Sequence, residues 1–155
     1  MSSILFVCLG NICRSPAAEG VCRHLADNLF NYSELVVASA GLGDWHEGQL
    51  PDPRMRAAAK ERGISLTTRA QQFELKFFEE FDYILCADHS IVNELYQFAE
   101  SSSHKAKIHL ITLHSRGYLN QEIPDPYYGN QADFNLVLDM CEDACEGLLE
   151  HLKGN

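Results

Sequence analysis

Ile4-Leu5-Phe6-Val7-Cys8-Leu9-Gly10-Asn11-Ile12-Cys13-Arg14-Ser15-Pro16 is the stretch on which the fold turns. Its first four residues are apolar without a break, the composition of a strand buried on both faces. Pro16 suits the first residue of a helix, where its missing N–H is not needed. Between them lies a short polar loop. A strand that runs through such a loop into a helix N-terminus makes an anion site. Its N–H groups turn inward, and the helix dipole adds about half a positive charge. Gly10 is expected to take backbone conformations closed to other residues, and Asn11 tolerates the left-handed one.

Working outward, Val21, Cys22, Leu25 and Leu29 recur at helical spacing behind the loop. Leu35-Val36-Val37-Ala38, Phe81 to Ala87 and Lys107 to Ile111 read as three further strands. Helices are predicted over Arg54 to Arg62, ended by Gly63, and over Ser90 to Ala99. Ser101-Ser102-Ser103 reads as a loop, and Leu113 to Gly129 as irregular chain. Phe134, Val137, Leu138, Cys141, Cys145, Leu148, Leu149 and Leu152 form the apolar stripe of a last helix. Strands alternating with helices predict an α/β fold with a parallel sheet covered on both faces. Ligands of such folds sit beyond the carboxyl ends of the strands. Cys8 and Asp88 both lie at such ends.

A cysteine that opens an anion loop has its thiolate stabilised by the loop's own N–H groups, which makes it a nucleophile. Arg14 follows six residues later. It can fold back to give two parallel N–H bonds to an oxyanion, which a lysine's point charge cannot do. Ser15 can donate its hydroxyl to the sulfur. The nucleotide-binding pattern Gly-x4-Gly-Lys-Ser/Thr is absent. Transfer of a phosphoryl group to sulfur also needs an acid for the leaving oxygen. Asp125, between Pro124 and Pro126 and followed by Tyr127 and Tyr128, is the candidate.

The bulk composition narrows the class. At 155 residues, 46% hydrophobic and 22% charged, the chain is expected to form one globular domain over 1–155. A net charge of −10, from 22 acidic and 12 basic residues, argues against a nucleic-acid partner. It does not argue against an anionic substrate, because a few oriented N–H groups and one arginine make a local positive pocket. No apolar run approaches a membrane span, and the start lacks the features of a secretory leader, so a cytoplasmic protein without membrane insertion is expected. Six cysteines and seven histidines show no zinc spacing, and the thiols are expected to be buried and reduced.

The loop Cys8 to Ser15 with Pro16 is followed by Ser39-Ala40-Gly41, Gly43-Asp44-Trp45, Pro51-Asp52-Pro53-Arg54 and Asp125-Pro126-Tyr127-Tyr128-Gly129. In this order the motifs resemble the low-molecular-weight protein tyrosine phosphatase family across nearly the whole chain. The resemblance implies a four-stranded parallel sheet with flanking helices and hydrolysis of phosphotyrosine in proteins through a phosphocysteine intermediate, without metal or cofactor. It implies Cys8 as nucleophile, Arg14 as phosphate binder and Asp125 as general acid, then base. Leu9, Gly10, Asn11, Ile12, Cys13 and Ser15 would contact the substrate, with Trp45, Tyr127 and Tyr128 walling the pocket mouth. Ser39 and Asp88 would support the loop, and a monomer or weak dimer is expected. It also implies that Cys13 can form a reversible disulfide with Cys8. Thr68 stands where many members carry a histidine that orients the loop asparagine, so the sequence leaves open what props Asn11. Two alternatives use the same loop. Phosphoarginine hydrolysis is disfavoured by Ile12, which offers no hydroxyl to a guanidinium. Thiol-dependent arsenate reduction needs a mobile downstream cysteine pair.

Overall fold

The computed structural model describes residues 2–154. Strand β1 (Ser3–Cys8) lies between β2 (Val36–Gly41) and β3 (Tyr83–Cys86), and β4 (Ile108–Leu110) completes the sheet outside β3. All three pairings are parallel, in the order β2-β1-β3-β4. The chain steps to one side of β1 to form β2 and to the other side to form β3. The carboxyl ends of β1 and β3 therefore flank the point where strand order reverses. Cys8 ends β1, and Asp88 follows β3.

The unbroken apolar run of β1 is explained by its two faces. Ile4, Phe6 and Cys8 pack against helices α1 (Arg14–Asn28), α2 (Pro53–Lys60) and α6 (Gln131–Lys153). Leu5 and Val7 pack on the opposite side, under α3 (Phe77–Glu80) and α4 (His89–Phe98). Ile4 through Val7 are wholly buried, and each such side chain contributes about 1.5–3 kcal/mol. The helices thus cover both faces, as the alternation of elements predicts.

Several boundaries differ from the sequence reading, each for a local reason. Helix α1 begins at Arg14, so Pro16 sits within the first turn rather than at its first residue. Strand β2 runs on through Ser39, Ala40 and Gly41 because these pair with Phe6, Val7 and Cys8 of β1, and the 71–73 segment bridges its last residue. Gly41 N donates to Gln71 O at 2.8 Å, and Phe73 N donates to Gly41 O at 2.7 Å. Ser101 caps a further single-turn helix, α5 (Ser102–Lys105), where a loop was expected. Helix α6 starts earlier than its apolar stripe because Asn130 and Asp133 form a reciprocal cap around its first turn.

Helix α6 packs closely on the 3-10 turn Ile111–His114. A Cβ built at Gly147 would run into the His114 backbone carbonyl oxygen, which cannot swing aside as a side chain can. Alanine gains about 1 kcal/mol over glycine in an exposed helix interior, yet here the overlap should win. Gly147→Ala is expected to lower stability by about 1–3 kcal/mol, read as a lower urea midpoint; a higher midpoint would show that the two elements separate freely.

Candidate active site

The loop after β1 is shaped by one left-handed residue. Asn11 has φ 59°, whereas Gly10 does not enter that region, contrary to the sequence reading. What glycine supplies at position 10 is a close approach instead, since a Cβ there would lie 3.1 Å from the His46 ring and that ring would have to shift slightly. Gly41 serves the loop from outside. A Cβ on it would meet the Gly10 and Asn11 backbone at 2.9–3.0 Å, so only glycine lets β2 lie this close. Leu42 N and Gly43 N then donate to Cys8 O and Leu9 O, both at 3.0 Å, and Asp52 N donates to Ile12 O at 2.8 Å.

The Asn11 side chain, 2% exposed, is fully bonded. Its Nδ2 donates to Ser15 Oγ at 2.7 Å and to Ser39 Oγ at 3.0 Å, and its Oδ1 accepts from Gln71 N at 2.9 Å. Ser39 in turn donates to Glu19 Oε1 at 2.6 Å, and Thr68 Oγ1 donates to the same oxygen at 3.1 Å. Arg23 Nη2 closes the set on Glu19 Oε2 at 3.2 Å. Thr68 therefore does not touch Asn11 but reaches it through Glu19 and Ser39. Glu19, 3% exposed, escaped the sequence reading. The available signal was its register, since Ser15, Glu19 and Arg23 recur every fourth residue along one helical face.

Cys8 and Arg14 meet at the floor of the loop, both nearly buried. Asn11 N donates to Cys8 Sγ at 3.3 Å, and Ser15 Oγ lies 2.9 Å from the same sulfur. Because Ser15 Oγ accepts from Asn11, its own hydrogen is left for the sulfur, with Ala40 O at 3.4 Å the weaker alternative. Arg14 Nη1 donates to Asp88 Oδ2 at 2.8 Å and to Ile123 O at 3.0 Å. The Nε–Nη2 edge of the fork remains for two oxygens of an oxyanion. Burial opposes the charge on Arg14, but the Cys8 thiolate and Asp88 outweigh it and raise its pKa. Burial likewise works against the Asp88 carboxylate, but its bonds from Arg14, Ile91 N and Ser90 hold its pKa below the usual value. Asp88 thus supports the arginine, rather than the loop backbone, and caps α4.

Above this floor opens a cavity of about 290 Å³. Leu9, Gly10, Ile12 and Cys13 line its sides, and Trp45, His46, Asp125, Tyr127 and Tyr128 surround its mouth. Tyr127 N donates to Asp125 Oδ1 at 3.1 Å, which fixes the carboxylate at the rim. The aromatic wall is uneven. Tyr127 packs edge-to-face with Tyr128 and under the Arg54 guanidinium, whereas Tyr128 is 97% exposed. His46 was not singled out in the sequence because a lone histidine beside a tryptophan carries no spacing signal. Cys13 is held protonated; burial, then the charges of Asp52, Cys8 and Asp125, push its pKa up to about 12. Cys86, Cys141 and Cys145 are fully buried in the core.

A buried thiol with the Asn11 N–H and the Ser15 hydroxyl aimed at it, beside a clamped guanidinium, is an arrangement that can hold an oxyanion on a parallel α/β sheet. The comparisons with known proteins narrow this class. The family profile for low molecular weight phosphotyrosine protein phosphatase matches residues 3–155. The pig low molecular weight phosphotyrosine protein phosphatase is 39% identical, with 97% of this chain and 96% of that protein covered. A protein tyrosine phosphatase structure from Entamoeba histolytica superposes with a TM-score of 0.94 at 38% identity, covering 99% of this chain and 98% of that one. A Drosophila arginine phosphatase structure superposes at 0.88 and 32% identity, covering 99% and 98%. The chain belongs to the low-molecular-weight protein-tyrosine phosphatase family of hydrolases.

Asp88→Asn keeps a capping side chain on α4 but removes the charge opposite Arg14. A loss of about 1–3 kcal/mol at neutral pH is expected. Since the folded pKa of Asp88 is lowered, its contribution is present above the unfolded value near 3.9 and is lost as pH falls through the folded one. The gap between wild type and variant in urea unfolding should therefore close below about pH 4; a gap that widened with acid would contradict the pairing.

Proposed function

We propose that the protein hydrolyses phosphotyrosine in other proteins through a phosphocysteine on Cys8, and that it works in the cytoplasm, where free thiols stay reduced. The convergence of Cys8, Arg14 and Asp125 on one cavity carries this reading. The phosphate enters with its non-bridging oxygens on the loop N–H groups and the free edge of Arg14. The Cys8 thiolate attacks phosphorus, and the P–O bond to the tyrosine breaks as Asp125 delivers its proton to the leaving oxygen. Asp125, now a carboxylate, takes a proton from water as that water attacks the phosphocysteine. The sulfur leaves as a thiolate, stabilised by the Ser15 hydroxyl and Asn11 N–H already aimed at it. Inorganic phosphate departs, and the starting protonation states are restored.

The choice of an aryl ester is supported by the mouth of the cavity, where Trp45, Tyr127 and Tyr128 offer aromatic surface against which a ring can stack. Ile12 adds an apolar wall, 9% exposed, with no acceptor for a guanidinium. The likeness to the Drosophila arginine phosphatase keeps phosphoarginine as the competing substrate. Arsenate reduction finds no support in the placement of Cys86, Cys141 and Cys145. Burial, and for Cys145 first a bond with Cys22, raises their pKa values.

Turnover of a phosphotyrosine peptide should vanish in Cys8→Ser and fall by about 10²–10⁴-fold in Asp125→Ala, with a smaller loss on para-nitrophenyl phosphate, whose leaving group needs less help. Wild-type kcat/KM should favour phosphotyrosine over phosphoarginine peptides. Activity retained in Cys8→Ser would refute the mechanism, and the reverse preference would refute the substrate.

A further inference from the structure

The phosphate pocket has a neighbour of equal size. Between α2 and the start of α6 lies a second cavity of about 290 Å³, floored by Ala57, Ala58 and Phe134 and edged by Arg54, Glu61 and Gln131. The two cavities share a wall. The Arg54 guanidinium stands 5.4 Å from the Tyr127 ring, which borders the first, and 4.6 Å from the Phe134 ring, which floors the second. Arg54 is locked there by Asp52, whose carboxylate accepts from its Nε at 3.1 Å and Nη2 at 2.8 Å. On the other border, the 127–131 segment runs from the mouth of one cavity to the rim of the other.

We propose that this groove is a second substrate subsite, taking an apolar side chain of the polypeptide that carries the phosphotyrosine. The inference rests on the phosphotyrosine reading above. A protein substrate bound by one tyrosine must run its flanking chain across the surface beside Tyr127. The Phe134 ring lies within about 10 Å of the Tyr127 ring, a span covered by roughly three extended residues. A side chain two to four residues from the phosphotyrosine therefore reaches the groove. The floor of two alanine side chains and the Phe134 ring is apolar, with the polar groups of Arg54, Glu61, Asn130 and Gln131 confined to the edge, so an aliphatic or methionine side chain suits the floor. Continuity with the phosphate pocket selects the substrate as occupant over an unrelated partner.

The test uses free phosphotyrosine and phosphotyrosine peptides in which one leucine is walked through a Gly/Ser/Asp background. In the wild type, leucine at one offset within about two to four residues should raise kcat/KM about tenfold over the leucine-free peptide. Ala57→Trp and Gln131→Trp fill the groove from opposite sides at exposed positions. Either should erase the leucine gain while leaving hydrolysis of free phosphotyrosine unchanged; two variants guard against one that fails to fold. A leucine effect absent at every offset, or one that survives in both variants, would overturn the subsite. A loss of leucine sensitivity shared equally by free phosphotyrosine would overturn it too, since the groove would not be separable from the chemistry. Leucine-blind hydrolysis with a sedimentation coefficient that rises with concentration, and is reset by Ala57→Trp, would assign the groove to a second copy of the chain instead. Wild-type protein inert on free phosphotyrosine would remove the parent reading, and the subsite with it.

Discussion

Asn11 holds a backbone angle that costs a non-glycine residue about 1–2 kcal/mol, and three side-chain bonds keep it there. The loop's function depends on that constraint. With Asn11 turned left-handed, its own N–H points at Cys8, and its side chain fixes the Ser15 hydroxyl that faces the same sulfur. Two donors are thus aimed at one atom before any substrate arrives. Donors fixed in advance need no reorganisation when negative charge develops, which is where such sites gain most.

The supports for Asn11 come from distant parts of the chain, and this ties the loop after β1 to the fold as a whole. Ser39 belongs to β2, Gln71 to the segment that pairs with the end of β2, and Glu19 to α1. Glu19 is a buried charge, tolerable because two hydroxyls and Arg23 satisfy it. Arg14 is a second buried charge, answered by Asp88 from the adjacent strand end. Each ion is placed by a strand terminus or helix turn, so the site inherits its precision from the sheet. Among the described residues, no buried side-chain polar atom lacks a partner.

What the sequence disclosed follows the reach of the interactions. β1, the loop and α1 are contiguous, so apolar run, glycine and arginine spacing displayed them together. The last helix was equally legible, because its stripe repeats over many turns. The end of β2 was not, since Ser39-Ala40-Gly41 has no strand pattern of its own and is extended by pairing with β1, some thirty positions earlier. The single-turn helices over Phe77–Glu80 and Ser102–Lys105 are too short to display a period. In the site, Cys8, Arg14 and Asp125 were named from chemistry and resemblance. Glu19 and Gln71 were missed because the bonds that tie them to the loop, through Ser39 and Asn11, span long sequence gaps, and the fourfold register of Glu19 does not by itself point to the loop. The doubt over Thr68 was resolved by a carboxylate that serves two hydroxyls at once.

The account stands on a covalent intermediate at Cys8, and trapping it is the most direct check. The protein should be mixed with a phosphotyrosine peptide, quenched in acid during steady turnover, digested and analysed by mass spectrometry. The account predicts one added phosphoryl group on the peptide that contains Cys8, absent from Cys8→Ser and accumulating if water attack is slowed in Asp125→Ala. Turnover at full rate with no phosphate on that peptide, or phosphate carried by another residue, would contradict it.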